Sequence, residues 1–141
     1  MTHPFRTAVE ADDHDAIHAL LAEDVVFTSP VAFRPYRGRA ITAAIVRGVS
    51  RVFEDFRYVR EFSGADGRDH ALVFEARVGD LAVNGCDLLH TDGEGRIDEL
   101  VVMVRPLSAA TALAEAMGAQ FDRIAGEAHE EEEGQGRPSG R

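Results

Sequence analysis

The chain has 141 residues, 45% apolar, 28% charged and 7% aromatic, which is the size of one domain with its own core. It carries 25 acidic and 15 basic residues for a formal charge of -10, and every basic residue is arginine. Without lysine there is no Schiff-base or pyridoxal-phosphate chemistry and no phosphate loop ending in Gly-Lys-Ser/Thr; the acidity argues against a nucleic-acid partner, whose phosphates it would repel.

The elements follow from periodicity and breakers. Phe5, Ala8 and Val9 sit at helical spacing until Asp12-Asp13 interrupts them. Asp13 is a candidate N-cap for a second helix with Ile17, Leu20 and Leu21 as its apolar stripe. Asp24 ends that helix, and Val25 to Thr28 reads as a short strand stopped by Pro30. The stretch Phe33 to Gly38 has turn chemistry and leads to a third helix with Ile41, Ile45, Val49, Val52 and Phe53 on one face. From Phe56 the period becomes two: Phe56, Tyr58, Arg60 and Phe62 share one side, and Leu72, Phe74, Ala76 and Val78 share another. Gly79-Asp80 marks a tight hairpin, Leu81 to Thr91 the next strand, Asp92 to Gly95 a second hairpin, and Ile97 to Arg105 the last strand. Ser108 is a candidate cap for a final helix bearing Leu113, Met117, Phe121 and Ile124.

One domain is therefore expected over residues 1–125. Residues 126–141 hold five glutamates and two arginines and no large apolar side chain, so they are expected as a disordered acidic, glycine-rich tail. Cys86 is the sole cysteine, which rules out an intramolecular disulfide and a multi-thiolate zinc site. Apolar runs are short and the start lacks a basic leader with a long apolar stretch, so a cytoplasmic protein with no membrane partner is expected. Helices followed by a meander of long antiparallel strands define an α+β domain, and four such strands curling around helices leave a concave, apolar cavity suited to a small molecule.

The run from Ala8 to Ile17 leading into Leu20 to Phe27, then Ser29-Pro30, Tyr36-Arg37-Gly38-Arg39 and Leu88 to Ile97, resembles the nuclear transport factor 2-like superfamily over residues 4–122. Within it the resemblance is to the SnoaL-like group, which includes polyketide cyclase-like proteins, and more distantly to ketosteroid isomerases. It implies a cone-shaped α+β fold, a homodimer paired through the sheet, and no cofactor. The isomerases place a tyrosine on the first helix, a carboxylate base before the proline after the first strand, and a protonated aspartate in a late strand. Those positions fall here on Phe5, Ser29 and Asp87. Two of the three groups are missing, so authentic ketosteroid isomerase activity is not expected.

Asp87 is the leading candidate. Alternation puts it on one face with Val83, Gly85 and Leu89, where desolvation would raise its pKa and make it a usable acid or base; the other reading is that it bonds a neighbour or faces water. Tyr36 and Arg34 are candidate substrate-orienting groups, while Arg37 and Arg39 are expected to pair with surface carboxylates. Phe5, Ser29, Phe33, Phe53, Phe74, Leu100 and Val102 are candidate wall residues, with Val104 beside them. His14 and His18 lie four apart but lack a third ligand, so no metal is expected. Cys86 and His90 are too far apart along one strand to form a nucleophile–base pair, and His70 and His90 are candidate dimer-interface residues. Val73, Glu75 and Arg77, with Val101 and Met103, form the expected outer, dimerising face. The functional expectation is a small hydrophobic, carbonyl-containing ligand and a cofactor-free isomerase, cyclase or lyase using Asp87. The alternative is a non-catalytic ligand-binding or dimerisation module.

Overall fold

Two short helices, α1 (Pro4–Glu10) and α2 (His14–Leu20), open the chain in a computed structural model that describes residues 2–136. The His3 side chain accepts the Phe5 amide at the start of α1, and the Asp13 carboxylate accepts the Ala16 amide at 3.1 Å at the start of α2. Between them the Asp13 amide reaches back to the Ala8 carbonyl and the Asp12 amide to Val9, with Asp12 at φ +53°. That is a Schellman stop carrying aspartate where glycine is usual.

Then follow β1 (Leu21–Thr28), β2 (Tyr36–Arg37), α3 (Arg39–Val52), β3 (Glu54–Ser63), β4 (Asp69–Val78), β5 (Leu81–Thr91), β6 (Ile97–Arg105) and α4 (Leu107–Gly136). The strands form one open six-stranded sheet in the order β2-β1-β6-β5-β4-β3. Sequence periodicity anticipates the four-strand meander; β1 joins it by pairing parallel to β6. Gly79 and Gly95 adopt φ +59° and +80° at the two hairpins read from sequence. Helix α4 begins one residue before Ser108, which therefore lies inside its first turn rather than capping it.

Facing positions form rows across the sheet. Glu61, Leu72, Asp87 and Val102 make one inner row, and Tyr58, Phe74, Gly85 and Val104 the next. The outer face carries Phe62, Ala71, Leu88 and Val101, then Arg60, Val73, Cys86 and Met103. The expectation that Tyr58, Arg60 and Phe62 share a face is corrected here. The register shifts between Tyr58 and Arg60, leaving Val59 as an extra residue, so Phe62 turns outward and is 57% exposed.

The boundary expected at residue 125 is also overrun: residues 126–136 continue α4. Composition alone misses two sources of order. Alanine and glutamate are strong helix formers, and Glu127 accepts hydrogen bonds from Arg47 at 2.8 Å and Arg51 at 2.9 Å, both on α3. Burial works against the Glu127 charge, but the two guanidinium groups hold its carboxyl below the ordinary range. His18 meets Glu131 at 3.1 Å, and Ala128 is buried. The last five residues of the expected tail, 137–141, lie outside the described residues. No helix among the described residues is long and apolar enough to cross a membrane.

Candidate functional site

The inner sheet face and helices α1, α2, α3 and α4 leave a pocket of about 440 Å³ between them. Its walls are mostly aromatic and aliphatic because each bordering element turns its apolar side inward. Phe5 comes from α1, Val46 and Val49 from α3, Phe56 from β3, Leu100 and Val102 from β6, and Met117 and Phe121 from α4. Phe56, Phe53 and Phe74 pack ring to ring, with centroids 4.9 to 5.8 Å apart.

Two polar side chains interrupt this surface at its buried end. The Tyr58 hydroxyl donates to Asp87 Oδ2 at 2.6 Å, with both residues buried. They come from β3 and β5, which flank β4, and stand one row apart on the inner face. Gly85 makes the arrangement possible. A Cβ there would lie 2.1 Å from Phe74 Cζ, so only a bare backbone lets the Phe74 ring lie across β5 beside the pair. Desolvation pushes the Asp87 carboxyl up to about 7, against the opposing pull of the Tyr58 hydrogen bond. Burial and the neighbouring Asp87 push the Tyr58 hydroxyl far above its ordinary value, so it remains a donor. Near neutrality Asp87 thus exists in both protonation states, and its Oδ1 takes no hydrogen bond from the described residues.

The Tyr58 hydrogen bond stabilises the carboxylate. Tyr58→Phe is therefore expected to move the Asp87 titration further up, by roughly one pH unit. The carbon-13 shift of the Asp87 carboxyl followed against pH checks this; an unchanged or lowered midpoint contradicts it.

Of the residues singled out from sequence, Asp87, Phe5, Ser29, Tyr36, Phe53, Phe74, Leu100 and Val102 border this pocket. Phe33 and Arg34 do not: Phe33 is 99% exposed, and Arg34 is exposed beside it in the loop before β2. That loop points these two side chains into solvent, while Tyr36, in β2, folds back against the core, 6.3 Å from Phe27 and Phe121. Val104 packs against the core but does not border the pocket. Arg37 and Arg39 make no ion pair among the described residues, contrary to expectation, and Arg39 Nε is buried without a partner.

Cys86 sits on the outer face, where burial and Asp87 push its thiol up, away from nucleophilic use. His90 is held by Asp98 at 2.6 Å, and no group of three or more metal-binding side chains gathers among the described residues. Tyr58 was not singled out by sequence reasoning. Its signal was its place beside Phe56 at the start of a period-two run, but nothing local distinguished it from a core tyrosine.

An open, mostly antiparallel sheet with one internal parallel pair, β1–β6, roofed by helices, is the fold shared with nuclear transport factor 2-like proteins. The chain belongs to the SnoaL-like domain family, whose model matches residues 3–103. A protein described as a steroid delta-isomerase from Pseudomonas aeruginosa is 39% identical, with a TM-score of 0.81 over 86% of this chain and 89% of that one. A protein of uncharacterised function from Silicibacter pomeroyi is 36% identical, with a TM-score of 0.81 over 88% and 89%. The epoxide hydrolase/cyclase-like enzyme SalBIII shares the fold at 22% identity and a TM-score of 0.60, over 74% of this chain and 87% of its own. No curated protein matches the sequence.

Proposed function

We propose that the protein is a cofactor-independent isomerase, cyclase or lyase acting on a small hydrophobic carbonyl compound, with Asp87 as the acid/base. The observation that carries this reading is the Tyr58–Asp87 hydrogen bond at the buried end of an apolar pocket. A carboxyl poised near neutrality has two uses there. Protonated, it donates to a carbonyl oxygen and stabilises the charge that develops as an enol forms; ionised, it removes a proton from the carbon beside that carbonyl. Tyr58 orients the carboxyl, and the apolar walls exclude water that would level its pKa.

The steroid delta-isomerase similarity bears on substrate class. Ser29 borders the pocket where that resemblance calls for a carboxylate, and Phe5 stands in place of the tyrosine. A proton shuttle between two carbons assisted by a separate oxyanion donor therefore lacks two of its groups, and chemistry needing one carboxyl fits better. The same two replacements favour, as a second reading, a pocket that binds such compounds without turning them over.

Proton exchange separates these readings without knowledge of the physiological substrate. Cyclic ketones, β-diketones and an unsaturated steroid ketone, incubated with the protein in heavy water, are expected to include at least one that gains deuterium beside the carbonyl. Mass spectrometry reads the gain, and Asp87→Asn should slow it by at least about a hundredfold. Binding without exchange supports the second reading, and exchange that survives in Asp87→Asn removes Asp87 from the chemistry.

A further inference from the structure

We infer that the pocket has a second recognition point at its mouth, built by His14, Asp12 and Ser50. It is suited to a hydroxyl at the far end of a ligand whose carbonyl meets Asp87. This rests on the proposed function only in using the same pocket. The three residues come from separate places: Asp12 from the α1–α2 turn, His14 from the first turn of α2, and Ser50 from α3. All three border the pocket, as Asp87 does, but at its solvent-exposed rim rather than its buried end.

His14 Nε2 lies 2.8 Å from Asp12 Oδ1 and 3.3 Å from Ser50 Oγ, while the Ser50 hydroxyl itself donates to the Arg47 carbonyl at 2.6 Å. Both contacts on Nε2 are thus with oxygens acting as acceptors, which assigns the proton to Nε2. In the uncharged imidazole that leaves Nδ1 as an acceptor, and Nδ1 has no partner among the described residues. An alcohol or phenol hydroxyl is the ligand group that donates to such a nitrogen.

The backbone supplies an independent observation. Asp12 occupies the left-handed position of the helix stop at φ +53°, where glycine is free of strain and aspartate is not. A residue that served only to end α1 would be better as glycine. The carboxylate at this place holds the His14 ring, which accounts for aspartate despite the strain.

The test uses two rigid probes: para-phenylphenol, with one hydroxyl, and para,para′-biphenyldiol, with one at each end. Calorimetry on the full chain is expected to show the diol binding about tenfold tighter than the mono-phenol. His14→Leu should abolish that advantage. Asp12→Gly should also abolish it while leaving the melting temperature equal or higher; the loss of the diol advantage in a fold no less stable is what a helix-stop role alone would not produce. Equal binding of both phenols by the parent protein, or a diol advantage that survives both substitutions, overturns the rim site and leaves the proposed function standing. Binding of neither phenol overturns the rim site together with the pocket reading.

Discussion

An Asp87→Asn protein is expected to be more stable than the parent above pH 7 and to lose the dependence of stability on pH that the parent shows between about 4 and about 7. The Asp87 carboxyl is raised from 3.8 to about 7 by burial. A carboxyl whose folded pKa lies above its unfolded value favours the fold when protonated. Its contribution is therefore complete below pH 4, falls as pH rises toward 7, and stays lost above that. The span corresponds to a ceiling of about 4 kcal/mol, since each pH unit of difference is worth about 1.4 kcal/mol. An amide is neutral throughout, fills nearly the same volume, and can still accept from Tyr58 through its oxygen. Urea unfolding of both proteins at pH 5 and pH 8 isolates the Asp87 contribution, because every other titrating group is common to the pair. If the two proteins lose stability in parallel between those pH values, the buried carboxyl is not the group responsible. Under the proposed function stability and chemistry move in opposite directions, because the group that would perform proton transfer is one the fold carries at a cost.

Gly85→Ala should be among the most destabilising single-methyl additions in the protein. The new Cβ would sit 2.1, 2.5 and 2.7 Å from three atoms of the Phe74 ring. Phe74 is 1% exposed and packed against Phe53 and Phe56, with Tyr58 edge-on at 6.3 Å, so the ring has no open space to enter. Overpacking of this kind costs about 3 kcal/mol or more. Because Tyr58 packs on the same ring, the distortion should also lengthen the hydrogen bond to Asp87. A second change, Phe74→Leu, makes room. The double variant is expected to be more stable than the sum of the two single losses, by at least about 1 kcal/mol in denaturant unfolding. Strict additivity would show that the ring and the missing methyl do not compete for the same space.

Much of the architecture is legible in the local pattern. Strands β5 and β6 run over the residues that alternation and turn chemistry indicate, because hairpins with Gly79-Asp80 and Gly95 leave little freedom in where a strand begins. The side on which Asp87 falls is equally local. Period two places it with Val83, Gly85 and Leu89, and all four are buried. What lies beside Asp87 is not local. Tyr58 is 29 residues away, and counting back from the β3–β4 hairpin without allowance for a bulge would pair Val59 with Phe74 and turn Tyr58 outward. The extra residue at Val59 reverses that, and no feature of Tyr58-Val59-Arg60 announces it.

The same division holds elsewhere. Amino-acid pattern alone determined the order of the helices and of the five longer strands, the α+β class and the inward face of β5, since these depend on steric periods of neighbouring residues, whereas the two-residue β2 was read as turn. Three things were decided only by tertiary structure. The arginines of α3 extend α4 through residues 126–136, the loop before β2 leaves Phe33 and Arg34 in solvent, and Tyr58 is brought to Asp87. Each is a contact between segments distant along the chain, and its free energy depends on a spatial proximity that no local periodicity encodes.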